Sequence, residues 1–144
     1  MTIVTHVLAT TLGVQALRLR GSDAALAYVF GVGVDIDHAI KAPFYFKAGF
    51  KREKGYYWRT SLQEPVALLW IVPLCLFLHT WVPALFFSIH LAMDYGVSYE
   101  KMPWYPYSPL VTQGFLVEVS DRTKEAILIV VLLCMNLLLF LAPL

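Results

Sequence analysis

The sequence predicts an all-α integral membrane protein: a bundle of about five short transmembrane helices with two cytoplasmic loops, forming one domain over residues 1–144. Three observations predict it. Hydrophobic residues make up 59% of the chain and charged residues only 15%, against about 45–50% and about 25% in soluble domains, so too few charges are present to cover a globule of this size. Mean hydropathy is +0.66. The apolar residues also gather in runs separated by polar connections, without a repeat or low-complexity tract. This composition excludes a disordered chain, a collagen-like chain and a disulfide-rich secreted domain. A net charge of +1 provides no global field to recruit nucleic acid, so no nucleic-acid partner is expected.

The first predicted helix, roughly residues 2–17, is mildly apolar, carries His6 and stops at Arg18-Leu19-Arg20-Gly21. Ser22 or Asp23 can cap the second, roughly 23–40, whose apolar part runs into Asp35-Ile36-Asp37-His38. The third, roughly 64–79, opens at Glu64-Pro65, and the fourth covers 82–97. The fifth, roughly 125–142, is the cleanest apolar run; Asn136 is its polar handle, and its expected work is anchoring and packing. Several of these are shorter than the roughly 20 residues a straight span prefers, so helix ends must reach into the interface. The N-terminal Met-Thr-Ile-Val-Thr-His has neither the basic start nor the small-residue cleavage site of a secretory signal and is read as mature structure. Cys75 and Cys134 lie inside apolar runs and read as small packing residues.

If five spans alternate, the polar connections 41–63 and 98–125 share the side of the N-terminus. They hold Lys41, Lys47, Lys51, Arg52, Lys54, Arg59, Lys101, Arg122 and Lys124, nine of the eleven basic residues, and the other side has Arg18 and Arg20. The positive-inside rule then predicts a multi-pass prokaryotic cell (inner) membrane protein with its N-terminus and both large loops cytoplasmic and its C-terminus outside. Tyr56-Tyr57-Trp58 and Trp104-Tyr105-Pro106-Tyr107 fit an aromatic belt at headgroup depth on that face.

Ionisable side chains within apolar helices are costly, so each needs a partner or a task. On this topology His6, Asp35, Asp37, His38, Glu64, His90 and Asp94 all fall at the cytoplasmic ends of four separate segments. His90 and Asp94 are i,i+4 on one helix face, as Asp35 and His38 are at i,i+3 if the second helix continues through them. Imidazole and carboxylate donors together suit Zn, Mn or Fe. Four carboxylates would balance two divalent ions, a match that matters beside lipid because an uncompensated cluster is expensive to desolvate. Each group alone reads equally well as a cap, a packing histidine or an internal hydrogen-bonded pair; their convergence favours one site with one or two divalent ions. His79 falls at the opposite face and is read as interfacial.

Thr5-His6, Asp35-Ile36-Asp37-His38, Arg59-Thr60-Ser61-Leu62-Gln63-Glu64-Pro65, His90-Leu91-Ala92-Met93-Asp94-Tyr95-Gly96 and Pro103-Trp104-Tyr105-Pro106 resemble, in order and spacing, the motifs of the YdjM-like membrane-bound metal-dependent hydrolases. The resemblance covers about residues 6–109 and implies His6, Asp35, Asp37, His38, His90 and Asp94 as metal ligands. It departs at the third motif, where family members usually carry histidines around the arginine and Trp58 and Gln63 stand here. Glu64 matches no histidine position; replacement ligand or general base is its expected role from the residues alone.

The expected activity is hydrolysis of a phosphoester or ester bond in a membrane lipid or lipid-linked substrate at the cytoplasmic interface. A divalent metal would activate water and polarise the ester oxygen, with Glu64 as base. The 41–59 segment has a local charge balance of +5, which would draw anionic headgroups or phosphates, and Arg59 is the expected phosphate clamp because its planar fork binds two oxygens. The same basic loop also reads as plain topology control. Two alternatives stand beside the hydrolase: a metal-ion or proton transporter, and a non-catalytic membrane protein with a structural metal. A homo-oligomer is left open.

Overall fold

The computed structural model describes residues 2–36, 64–97, 104, 107, 108, 110 and 119–142. Among these residues lie five α-helices and no strand: α1 (Ile3–Ala16), α2 (Gly21–Gly31), α3 (Leu68–Leu78), α4 (Val82–Val97) and α5 (Asp121–Leu141). The all-α expectation is met. One helix among the described residues, Arg122–Leu141, is long and apolar enough to cross a membrane; at 1.5 Å per residue its 20 residues reach about 30 Å. Ile3–Ala16 and Pro65–Leu78 are apolar but shorter.

Two helix ends turn in the same way. Arg18 takes φ 52° and Leu19 N–H returns to the Val14 carbonyl at 3.0 Å; His79 takes φ 53° and Thr80 N–H returns to the Cys75 carbonyl at 3.1 Å. Both are left-handed helix caps built on residues other than the usual glycine. They place Arg18–Gly21 and the α3–α4 turn at one pole of the bundle, where the Thr80 hydroxyl donates to Asp23 Oδ1 at 3.4 Å. Ser22 and Asp23 therefore do not cap α2 as expected: its cap position is Arg20, without a side-chain bond, and Asp23 sits in the first turn, where its charge suits the helix dipole.

The second helix also ends earlier than its sequence pattern suggests. The α-helical stretch stops at Gly31, Val32 breaks it with φ −130° and ψ −44°, and a 3-10 turn covers Gly33–Asp35. Asp35 is thereby delivered by a turn and not by a continuous helix. Helix α5 begins earlier than expected, at Asp121, because the Ser120 hydroxyl accepts the Thr123 N–H at 3.3 Å. Pro65 opens a short 3-10 turn, Pro65–Ala67, that feeds α3.

The helices pack through one apolar cluster of Ala67, Ile71, Cys75, Phe87 and Leu91 and a second of Ala27, Val82 and Phe86. Two glycines allow close approach. A Cβ on Gly13 would lie 2.8 Å from the Phe86 ring, and one on Gly31 would lie 2.3 Å from Thr10 Oγ1. Helix α5 lies along α1 in the same direction: Glu125 near its start meets Thr2 and Thr5, and Asn136 further along donates to the Leu8 carbonyl at 3.0 Å. Much apolar surface faces outward, with Trp70 75%, Phe77 80% and Phe140 78% exposed.

Candidate metal centre

At the pole opposite the Arg18 and His79 turns, three segments bring ionisable groups together. His6 comes from the first turn of α1, Asp35 from the 3-10 turn after α2, and His90 and Asp94 from one face of α4. All are sequestered: His6 is 2% exposed, His90 1% and Asp94 7%, and the Asp35 side chain 12%. The i,i+4 spacing of His90 and Asp94 works as expected, stacking both over the same core.

The donor atoms are close but do not bond to one another. His6 Nε2 lies 3.4 Å from Asp94 Oδ1 and 3.7 Å from Asp35 Oδ2, while His90 Nε2 lies 3.6 Å from Asp35 Oδ1. These spacings exceed the 2.7–3.2 Å of an N–H···O hydrogen bond. The His6–Asp94 spacing of 3.4 Å matches the separation of two ligands on a tetrahedral cation, roughly 3.3–3.4 Å for donors about 2.0–2.1 Å from the metal, and the two spacings to Asp35, 3.6 and 3.7 Å, are slightly longer. One donor atom each from His6, His90 and Asp94 falls within 4.8 Å of the others, so this buried group can hold a metal ion. Asp35 joins it differently, offering one oxygen to each imidazole.

Tautomers sharpen the case. His90 Nδ1 lies 3.0 Å from the Gly31 carbonyl; a carbonyl only accepts, so Nδ1 carries the proton and Nε2 of the neutral ring presents a lone pair. That lone pair faces a carboxylate oxygen at 3.6 Å, an approach that a proton or a metal cation between them would make favourable. Among the described residues, His90 Nε2 and His6 Nδ1 are buried and make no hydrogen bond. The two imidazoles stack with centroids 4.0 Å apart and planes 20° from parallel, so two imidazolium charges here would repel at contact distance. A divalent ion bound through the two Nε2 atoms would satisfy His90 Nε2 and relieve its approach to Asp35. Two neutral imidazoles with Asp35 and Asp94 carry −2, which one such ion balances.

Glu64, expected as base or replacement ligand, meets α4 through Tyr95. It is fully buried before α3, and its Oε2 accepts the hydroxyl of Tyr95, the residue after Asp94, at 2.5 Å. Asp37, His38 and Arg59 lie outside the described residues, as do Trp58, Gln63 and the basic 41–59 segment. Trp104 and Tyr107 of the second aromatic cluster are described and exposed. His79 is exposed at the far pole, away from the donors, as expected.

Sequence reasoning missed two supporting groups. The Gly31 carbonyl fixes the His90 tautomer, and its only signal was a pair of glycines, Gly31 and Gly33, just before Asp35. Tyr95 was noted only as part of a motif. Fold and site together define a helical protein with a buried His–Asp cluster able to hold a metal ion. Compared with protein-family models, curated proteins and solved structures, the chain matches none.

Proposed function

We propose that the chain is a multi-pass membrane protein using a divalent metal to hydrolyse a phosphoester or ester bond of a membrane lipid or lipid-linked substrate, as its resemblance to the YdjM-like hydrolases implies. The observation that carries this reading is the ligand-like spacing, 3.4–3.7 Å, of buried imidazole and carboxylate atoms from separate helices. His6, His90, Asp94 and Asp35 would hold the ion; Asp37 and His38, next along the chain from Asp35, are proposed to complete the set. Imidazole with carboxylate favours zinc, manganese or iron.

Exposed apolar side chains support embedding in lipid. Leu69, Trp70, Leu76 and Phe77 on α3 and Leu137, Leu138, Phe140 and Leu141 on α5 all face outward, a surface that water disfavours and acyl chains accept. His6 lies in the first turn of α1, Asp35 just beyond α2 and Asp94 in the last turn of α4, with His90 reaching in from mid-helix, a placement that suits an ester or phosphate near headgroup depth. Bound there, the metal supplies a Lewis acid and lowers the pKa of water. Glu64 takes the water's proton, its carboxylate oriented by the Tyr95 hydroxyl. Arg59 pairs with phosphate oxygens through its planar fork. Seven basic residues in the two long connections, with Arg122 and Lys124 in the first turn of α5, favour a cytoplasmic position for this face by the positive-inside rule and would draw anionic headgroups toward it.

The test is metal analysis of the purified protein followed by incubation with total membrane lipids. Stoichiometric metal and release of water-soluble headgroup or phosphate, lost on chelation, are expected. Absence of metal, or metal uptake into proteoliposomes without lipid turnover, overturns the hydrolase.

A further inference from the structure

We infer that Glu125 of α5 is a positioning residue for the metal centre: it caps α1 from a neighbouring helix and so holds His6 where it can ligate. The inference rests on the metal reading proposed above. His6 is the fourth residue of α1, directly after the Thr2–Thr5 positions whose N–H groups lack the regular intrahelical partner and which fray first. Local support for this first turn is slight: the Thr5 N–H reaches the Thr2 carbonyl at 3.2 Å and the Thr2 and Thr5 hydroxyls lie 3.4 Å apart. The Thr2 side chain makes no capping bond and the first turn contains no acidic residue, so α1 lacks both devices by which a helix usually holds its own start.

Glu125 supplies both from outside. Its Oε1 accepts the Thr2 backbone N–H at 2.6 Å and the Thr5 hydroxyl at 3.1 Å, and its carboxylate lies at the positive end of the α1 dipole. Thr5 is fully buried and immediately precedes His6. The link from Glu125 to the imidazole is therefore one residue long. The α5 end of the link is itself held, because Ser120 caps that helix one turn before Glu125. Metal–ligand distances tolerate only about 0.2 Å of error, so even partial fraying of the α1 start takes His6 Nε2 away from Asp94 and Asp35. The last helix thus acts on the site as well as anchoring the chain.

The experiment measures Zn2+ affinity of the full chain in detergent micelles, by competition with a chelating indicator, alongside thermal unfolding. Glu125→Ala is expected to weaken Zn2+ binding about tenfold, the lower end of what losing a supporting hydrogen bond costs a metal site. Glu125→Gln keeps an acceptor oxygen and is expected to restore most of that affinity. Asn136→Ala, which cuts a different α1–α5 bond, is expected to lower the unfolding temperature without weakening Zn2+. Should Glu125→Ala not fold, Thr5→Val removes only the hydroxyl and is expected to weaken Zn2+ in the same direction. Parent-like affinity in the variant that folds, or an equal loss in Asn136→Ala, overturns the role of Glu125 alone. A parent protein that binds no Zn2+ overturns the metal reading and takes the positioning role with it.

Discussion

Gly31→Ala is the most discriminating substitution the packing offers. The added methyl would stand 2.3 Å from Thr10 Oγ1, 3.3 Å from its Cγ2 and 3.4 Å from its Cβ. Thr10 is 2% exposed and β-branched, so it has few rotamers into which to retreat. Relief requires α2 to back away from α1 by about 1 Å, the difference between 2.3 Å and an ordinary contact of roughly 3.3 Å, and overpacking of this kind costs about 1–3 kcal/mol. The same shift carries the Gly31 carbonyl off His90 Nδ1, now at 3.0 Å, beyond hydrogen-bond range. Two losses are therefore expected together. Thermal unfolding in detergent should fall by roughly 3–10 °C, and Zn2+ affinity by about 10–100-fold, the usual cost of removing the partner that orients a ligating histidine. Thr10→Ala in the Gly31→Ala background frees the space the methyl needs and should recover part of both. A Gly31→Ala protein with parent-like unfolding and Zn2+ affinity would refute the close α1–α2 contact and the orienting role of the carbonyl.

Other outcomes follow from the same geometry. Asp94→Asn and His90→Ala should each abolish stoichiometric metal while leaving helix content intact by circular dichroism; retained metal in both would show that the ion, if any, sits elsewhere. Removing metal with a chelator should lower the unfolding temperature, because an ion that binds only the folded state stabilises it by mass action, and adding Zn2+ back should restore it. Tyr95→Phe should destabilise by about 1–3 kcal/mol in denaturant titration, since it removes the hydroxyl that donates to the buried Glu64 carboxylate. His79→Gly should be neutral or stabilising by up to about 1 kcal/mol, as the left-handed φ of 53° suits glycine, and metal affinity should not change.

The residue types and spacings determined much of this protein without reference to its packing. Helical class follows from apolar runs with too few charges to cover them. The limits of α1 and α4 lie within a residue or two of the 2–17 and 82–97 pattern, because their flanks change abruptly from apolar to polar. His6, Asp35, His90 and Asp94 were legible as one group because ionisable residues in apolar segments are too costly to leave scattered, and the i,i+4 pair declares its own face.

Tertiary structure decided the rest. The approach of α1 to α2 is allowed by the absence of a side chain at Gly31, and the break at Val32 leaves the Gly31 carbonyl facing His90. Only the pairing of α5 with α1 brings Glu125 to Thr5, across a sequence separation of 120 residues. A side chain's place within its own helix is a matter of local periodicity and can be read along the chain. Which backbone group or distant carboxylate completes its surroundings depends on where two helix surfaces interlock, and that is a property of shapes in contact.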